Sequence, residues 1–420
     1  MPGPGSFLIG QEEIDEVIEV LRSKYLYRYG PDSDAEFKAK VRTFEENVAS
    51  RLGTRYAVAV NSGTSALSVI LGGLAIGAGD EVIVPGFTFI ASMSAIVYAG
   101  ALPVLAEIDD TFNLDPADVE ARITPRTRAI VAVHMLGSPA RLDDLLAIAQ
   151  RHGITLIEDC AQAFGGSFHG KPLGSLGIAG GLSFNAYKTI TAGDGGMVVT
   201  KDEALYRRCF AMHDQGHSPL RNGVEMGRRP FLGLDFRMTE LSAAVLLAQL
   251  RKLDAILSRL RANKALFKSL IADVPGLEFR TLPDREGEIA THLVVLFPSE
   301  AVARAVADEL DSRVLAESGW HIYSQMEHLL SERTASMKGP PFHDAANADA
   351  GDHYWPGMLP KTDDLVRRAM SIGIGVSDVN LGSNFGVTVL AGEDAIRRRA
   401  AEFRAVAEHH LRALGPNRPL

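Results

Sequence analysis

Between Val82 and Ala106 the chain carries no charged residue, and this run limits the possible folds more than any other stretch. Its length alone would pass for a membrane span. Pro85, Gly86, Gly100 and Pro103 divide it, however, and several hydroxyl residues interrupt its apolar character. VIV then reads as a buried strand, PGFT as a turn, FIASMSAIVYAG as a helix and LPVLAEI as the next strand. Strands buried on both faces and joined by a covering helix form the β-α-β unit of a parallel sheet.

The same alternation continues along the chain. Val41, Phe44, Val48 and Leu52 form a helical stripe that Gly53 stops. Strand YAVAV, the turn NSGT and helix SALSVILGGL follow. Further strands are expected at RAIVAVHM, ITLIEDC, GGLSF and GMVVT, with LDDLLAIAQRHG as a helix between the first two. Strands alternating with helices predict an α/β fold with a mostly parallel sheet. A long helical pattern starts at Thr239, a suitable N-cap, and bridges to a segment of different character. Beyond about residue 275 the pattern is α+β, with strands in LEFRTL and THLVVLF and helices in SEAVARAVADELDS and GEDAIRRRAAEFRAVAEHHLRAL. Residues 338–360, rich in Gly, Pro, Asp and His, read as a long functional loop.

A chain of 420 residues is too long for one ordinary core. We expect a large domain over 1–255, with an N-terminal helical segment to about residue 55, and a small α+β domain over 256–420. Net charge is -9, and no basic block interrupts it, so a nucleic-acid footprint is not expected. Cys160 and Cys209 are the two cysteines, too few for a disulfide framework or a cysteine-based zinc site. A reducing, cytoplasmic setting without membrane insertion fits. The start, MPGPGSFLIGQEEIDEV, lacks the basic and apolar blocks of a signal peptide.

Three separated pieces carry chemistry. In AVAVNSGTSAL a strand meets small residues and then a helix, leaving backbone N–H groups that suit a phosphate; Gly63 lets the backbone approach, and Thr64 adds a hydroxyl. An ordinary strand-to-helix corner reads the same way. In ITLIEDCAQAFGG, Asp159 ends an apolar strand at the edge where open α/β sheets bind ligands. Its carboxylate there either holds a protonated ring nitrogen or caps the following AQAF turn. In GLSFNAYKTITAGDGG, Lys188 follows a strand and precedes Gly193, Gly195 and Gly196. A lysine in a low-dielectric site has its charged form disfavoured and can act as a nucleophile. A phosphate cradle, a ring-nitrogen carboxylate and a nucleophilic lysine are together the contacts that pyridoxal phosphate requires.

The set NSGTSAL, PGFTFIAS, IEDCAQAFGG, LSFNAYKTITAGDGG and LGLDFRMTELSAAVLLAQLRKLD closely resembles the DegT/DnrJ/EryC1/StrS aminotransferases, over roughly residues 5 to 260. The resemblance implies a fold-type I, pyridoxal-phosphate-dependent transferase built on a seven-stranded sheet. It implies an enzyme that moves an amino group from glutamate or glutamine to a keto or aldehyde sugar, sugar acid or cyclitol. Carried over by position, Lys188 forms the internal aldimine and Asp159 binds the pyridine nitrogen. Gln162 lies against the ring or its phenolic oxygen, Phe89 stacks on the ring, and Gly63, Thr64 and Ser183 hold the phosphate. Arg237 is an anion contact, and His321, Tyr323 and His328 fall in the region facing the acceptor. The family also implies a homodimer with shared active sites, to which the loop GLDFRM is lent.

Two departures stand out. TAGDGG replaces the family's usual TTGEGG, a change of one methylene at Asp194. Asp235 stands where the family has an asparagine that reaches the partner's phosphate, and a carboxylate there would be repelled. Either Asp235 points elsewhere, for instance to Arg237, or the interface is arranged differently. Further on, MLPKTDDLVRRAMSIGIGVSD resembles the branch containing 8-amino-3,8-dideoxyoctulosonate transaminases.

Other motifs are set aside. His321, His328, His343 and His353 share one region, but Glu327–His328 lacks HExxH spacing and no cysteine joins them, so no metal is expected. His213 and His217 in MHDQGH read as surface residues. No GxGxxG follows a strand. A sugar dehydratase on the same scaffold would carry histidine in place of Lys188, and a non-catalytic cofactor-binding regulator would not need Lys188, Asp159 and Gln162 intact.

Overall fold

The computed structural model describes residues 3–219, 229–336, 340–347, 353–378 and 381–413. Helices α1 (Gln11–Ser23) and α2 (Lys40–Leu52) precede the first strand, β1 (Tyr56–Val60), and α3 (Gly63–Gly73) follows it. The charge-free run folds as its punctuation requires: β2 (Glu81–Pro85), α4 (Ala91–Ala99) and β3 (Leu102–Ala106). Then come β4 (Thr127–Val133), β5 (Thr155–Asp159), β6 (Ala179–Ser183), β7 (Gly196–Thr200) and α5 (Glu203–His213). The sheet order is β1-β7-β6-β5-β4-β2-β3. Every neighbouring pair is parallel except those made by β7, which runs antiparallel to β1 and β6.

Side chains alternate across this sheet into two cores. Val58, Val60, Val82, Val84, Val131, Val133 and Ile157 pack on one face with α3, α4 and α5. Ala57, Ala59, Ile83, Ile130, Ala132 and Leu156 pack on the other against the Val41, Phe44, Val48 and Leu52 stripe of α2. Strands sandwiched in this way have no polar face to display, which is why their sequences run apolar without interruption.

The long helix, α6 (Glu240–Ile271), starts at Thr239, whose hydroxyl accepts the Ser242 N–H. It is unbroken across residue 255. Its first residue also serves α2: Glu240 accepts the Lys40 and Val41 N–H groups, filling that helix's open N-terminus. Glu13 of α1 accepts from Lys252 and Gln249 of α6. Past α6, a four-stranded sheet forms from β8 (Glu278–Phe279), β9 (His292–Leu296), β10 (Ala369–Ile374) and β11 (Gly386–Val387), in that order. Parts of the expected loop over 338–360, residues 338–339 and 348–352, lie outside the described residues. Among the described residues no helix is long and apolar enough to cross a membrane.

One expectation is overturned. His213 and His217 are buried, not surface residues. His213 ends α5, donates from Nδ1 to the Phe210 carbonyl at 2.6 Å and accepts from Arg28 at Nε2. The helical turn that precedes the polar run continues far enough to carry its first histidine inside.

Candidate active site

The C-terminal ends of β5 and β6 and the turns after β1 and β2 open onto one cavity of about 300 Å³. It is lined by Gly63, Thr64, Phe89, Asp159, Gln162, Ser183, Lys188 and His321 together. Eight of the eleven expected site residues therefore converge. A larger cleft, about 630 Å³, lies beside Thr127 and Thr155 at the opposite edge of the sheet. Its Asp80 and Arg128 pair with each other, and none of the expected residues reaches it.

The lysine loop is a hairpin between β6 and β7, tied by Phe184 N–H to Gly195 O and Ala186 N–H to Gly193 O. A Cβ on Gly196 would sit 2.2 Å from the Ser62 carbonyl, so β7 enters the sheet against the turn after β1 only as glycine. Asn185 donates to Asp194, and its Oδ1 accepts the Tyr187 N–H, which closes the loop tip. Tyr187 itself stands half-exposed at the cavity. From beneath, Gly3 N–H donates to Ala186 O at 3.0 Å, Ser6 Oγ to the same carbonyl at 3.0 Å and Gly5 N–H to Lys188 O at 3.4 Å. Enclosure by protein lowers the Lys188 pKa from the ordinary lysine value, and the carboxylates of Asp159 and Asp378 oppose the shift.

Of the two acids that end β5, alternation sends Glu158 to the interior. It accepts N–H groups from Gly174, Leu176 and Gly177 and the Nε2 proton of His134, whose Nδ1 accepts from Ala140. Burial disfavours its charge, yet these donors win and hold its pKa down. Asp159 faces the cavity. Its Oδ2 accepts from Ser92 Oγ at 2.7 Å and its Oδ1 from the Ala161 N–H at 3.0 Å. One carboxylate thus caps the AQAF turn and also faces the cavity.

The corner between β1 and α3 is equally specific. Ser62 caps α3 by accepting the Ser65 N–H, which leaves the Gly63 and Thr64 N–H groups of the first turn without helical partners. A Cβ on Gly63 would fall 2.7 Å from Ser183 Cβ, so the glycine brings the Ser183 hydroxyl against the helix end. Gln162 is fixed by the Leu136 N–H, which donates to its Oε1 at 2.9 Å. Phe89 keeps 39% of its surface exposed, its ring 5.2 Å from that of His321. Burial lowers the His321 pKa to about 3, so the imidazole is neutral; its Nδ1 donates to Ser318 O.

Three expected contacts lie elsewhere in this chain. Arg237 is paired with Asp214 and Asp235 and stacks on Tyr27. Asp235 accordingly does turn to Arg237. Tyr323 is fully buried, its hydroxyl donating to Asp363 and accepting from Gly357 and Leu359. His328 is exposed on a short helix away from the cavity. Sequence reasoning also passed over Ser92, Thr291, His292 and Asp378, which all line the cavity. The only signal for Ser92 was its place in the quoted PGFTFIAS run; the others come from distant segments and carry none. Among the described residues the one potential cation-binding group is His134, Glu158 and Cys160, and both ring nitrogens of His134 are already engaged.

Comparison with known proteins gives a consistent picture. A family model described as the DegT/DnrJ/EryC1/StrS aminotransferase family matches residues 8–377. GDP-perosamine synthase of Caulobacter vibrioides is 45% identical over 212 residues, 50% of this chain and 56% of that protein. L-glutamine:2-deoxy-scyllo-inosose aminotransferase of Micromonospora echinospora is 36% identical over 346 residues, 78% of each chain. Among solved structures, DesI in the presence of its TDP-sugar product is 31% identical with a TM-score of 0.73, covering 97% of this chain and 93% of that one.

Proposed function

The chain belongs to the DegT/DnrJ/EryC1/StrS aminotransferase family, and from that premise we propose that it transfers an amino group from glutamate or glutamine to a keto or aldehyde sugar, sugar acid or cyclitol, using pyridoxal phosphate. The observation that carries the reading is the convergence of Lys188, Asp159 and the Gly63–Ser183 cradle on one cavity.

The residues fit the cofactor. The Gly63 and Thr64 N–H groups with Ser183 Oγ would hold a phosphate at a positive helix end, where a Cβ would leave no room. Asp159, oriented by Ser92, would hold a ring N–H as a charge-assisted bond. Phe89 offers an exposed face for a flat ring, and Gln162 offers the amide edge not used by Leu136. When bound, pyridoxal phosphate supplies an electron sink that makes a Cα proton of the donor labile. Lys188 Nζ, its pKa lowered by enclosure, would be the nucleophile for the cofactor's aldehyde carbon and the base that carries that proton.

His321 and His292, both held neutral by burial, and the Asp378 carboxylate face the site from the other side and support hydrogen bonding to hydroxyls of a sugar or cyclitol. The two-part division at residue 255 belongs to this reading, with the part after it closing the cavity. So does a homodimer: Ile14, Ile18 and Leu21 are exposed along α1, and Leu232, before GLDFRM, and Leu234, within it, are also exposed. A reducing, cytoplasmic setting accords with Cys160 and Cys209 both free and buried.

The test is spectroscopic. Protein loaded with pyridoxal phosphate and mixed with glutamate or glutamine should lose the aldehyde-form absorbance and gain the amine-form band, and added keto sugar or keto-cyclitol should reverse it. No response to any amino donor sinks the proposal.

A further inference from the structure

Three ionisable groups outside the cavity have no task in the reading above. Arg280, Lys264 and Glu288 are all buried. Lys264 is ion-paired with Glu288, and Arg280 lies 3.9 Å from the same carboxylate. Two cations share one anion, and burial lowers Lys264 to about 8 and Arg280 to about 10. A buried guanidinium is costly unless its donors are used.

Arg280 uses its donors on one turn. Nη1 donates to Met135 O at 3.0 Å and Nη2 to Leu136 O at 2.9 Å, while Nε has no partner. Leu136 sits at φ 55°, a left-handed conformation that a leucine adopts only when its surroundings enforce it. Those surroundings are Arg280 on the carbonyls, Asn113 accepting the Met135 N–H at 2.8 Å, and the Ile289 N–H on Gly137 O. The outcome is one N–H, that of Leu136, aimed at Gln162 Oε1. An N–H needs an acceptor, so this bond decides which end of the Gln162 amide points where.

We infer that Arg280 is a positioning residue: by clamping the Met135 and Leu136 carbonyls it fixes the N–H that orients Gln162, and so presents Gln162 Nε2 to the cavity. The amide would otherwise be free to turn over, and its oxygen would face the ring oxygen of the cofactor. The residue that follows β8 of the small sheet thereby reaches Gln162 through the turn after β4 of the large one. The inference rests on the cofactor reading above, because the bound cofactor is what Nε2 serves.

The experiment is a double-mutant cycle on the full chain, read as the dissociation constant for added pyridoxal phosphate and the pH midpoint of its bound absorbance. Arg280→Met should weaken retention about tenfold, near the worth of one well-placed hydrogen bond, and move the midpoint. Gln162→Ala should do the same, and Arg280→Met added to it should do nothing more. Arg280→Lys, which can still reach one carbonyl, should fall between. Equal and independent losses in the two single variants, or an Arg280→Met protein with unchanged constant and midpoint, would overturn the inference. If Arg280→Met does not fold, the cycle is decided with Arg280→Lys, or with Asn113→Ala, which loosens the same turn from its other side. Wild-type protein that takes up no pyridoxal phosphate overturns the cofactor reading and this inference together.

Discussion

Ser92 Oγ donates to Asp159 Oδ2 at 2.7 Å and is itself 3.0 Å from Thr88 Oγ1, so a hydroxyl pair after β2 orients the carboxylate that ends β5. Both hydroxyls are buried. A carboxylate with its rotation set in this way would meet a ring nitrogen without first losing side-chain freedom.

Asp159→Asn should therefore cost far more than loss of the hydroxyl. Removing the charge from a charge-assisted bond predicts a fall in kcat/KM of about a hundredfold, against a few-fold for Ser92→Ala, which removes one neutral-donor bond. Steady-state rates of both variants with one donor and acceptor pair check this; a larger loss in Ser92→Ala would contradict it.

Lys188→Ala should abolish both half-reactions, and borohydride treatment of loaded wild-type protein should tag Lys188 and no other lysine. Peptide mass mapping reads the tag. Retained turnover in the variant would remove the lysine from the chemistry.

Gly63→Ala pushes a methyl group to 2.7 Å from Ser183 Cβ. Overpacking of this kind costs roughly 1–3 kcal/mol, and here it falls on the anion cradle. Inorganic phosphate should protect wild-type protein against thermal unfolding and protect the variant much less.

Gly5→Ala tests the support under the lysine loop. Its Cβ would lie 2.7 Å from Gln249 Oε1 and 2.9 Å from both Ile190 Cα and Thr191 N. The variant should release pyridoxal phosphate faster on gel filtration. Gly10→Ala, with nothing within 4 Å, is the matched control and should retain it.

Stability should fall on acidification. Burial lowers His213 to about 3, with Arg28 adding to the shift and the Phe210 carbonyl opposing it; His321 is also lowered to about 3. Unfolded histidines bind a proton below about 6.5. Between about 6.5 and 3 the unfolded state therefore holds more protons, and unfolding is favoured as pH drops. Each such histidine adds a slope of roughly 1.4 kcal/mol per pH unit. Urea unfolding of wild type and His213→Asn at pH 7 and pH 5 measures the difference; an unchanged slope in the variant would contradict the assignment.

Much of this was legible in the sequence, and the reasons are physical. β2, β4 and β5 are buried on both faces and so announce themselves as apolar runs. Asp159 ends a strand, and Gly63 and Lys188 follow strands closely, where the local pattern fixes their position. Distance in the chain hides the rest. Arg280, just after β8, braces the turn behind Gln162, and Asp378, between β10 and β11, lines the cavity, and no local pattern distinguishes either from other charged residues. Closeness in the chain misleads too: Tyr323 lies two residues from His321 yet turns inward, because Asp363 and two backbone N–H groups claim its hydroxyl. Arg237 resembles a free anion contact until Asp214 and Asp235 are seen to hold it.

The hydrogen bonds that seat Gly3 and Ser6 under Ala186, together with Asp378 on the opposite wall, have a consequence for how the protein is made. Helices and the β2–α4–β3 unit can form as they leave the ribosome, since their contacts are local. The lysine loop is different, because its floor at Gly3 and Ser6 and its far wall at Asp378 lie far apart in the chain. Such contacts close slowly, after long intervening chain has been ordered. The cavity around Lys188 is therefore walled on every side only once the chain through residue 378 has been made.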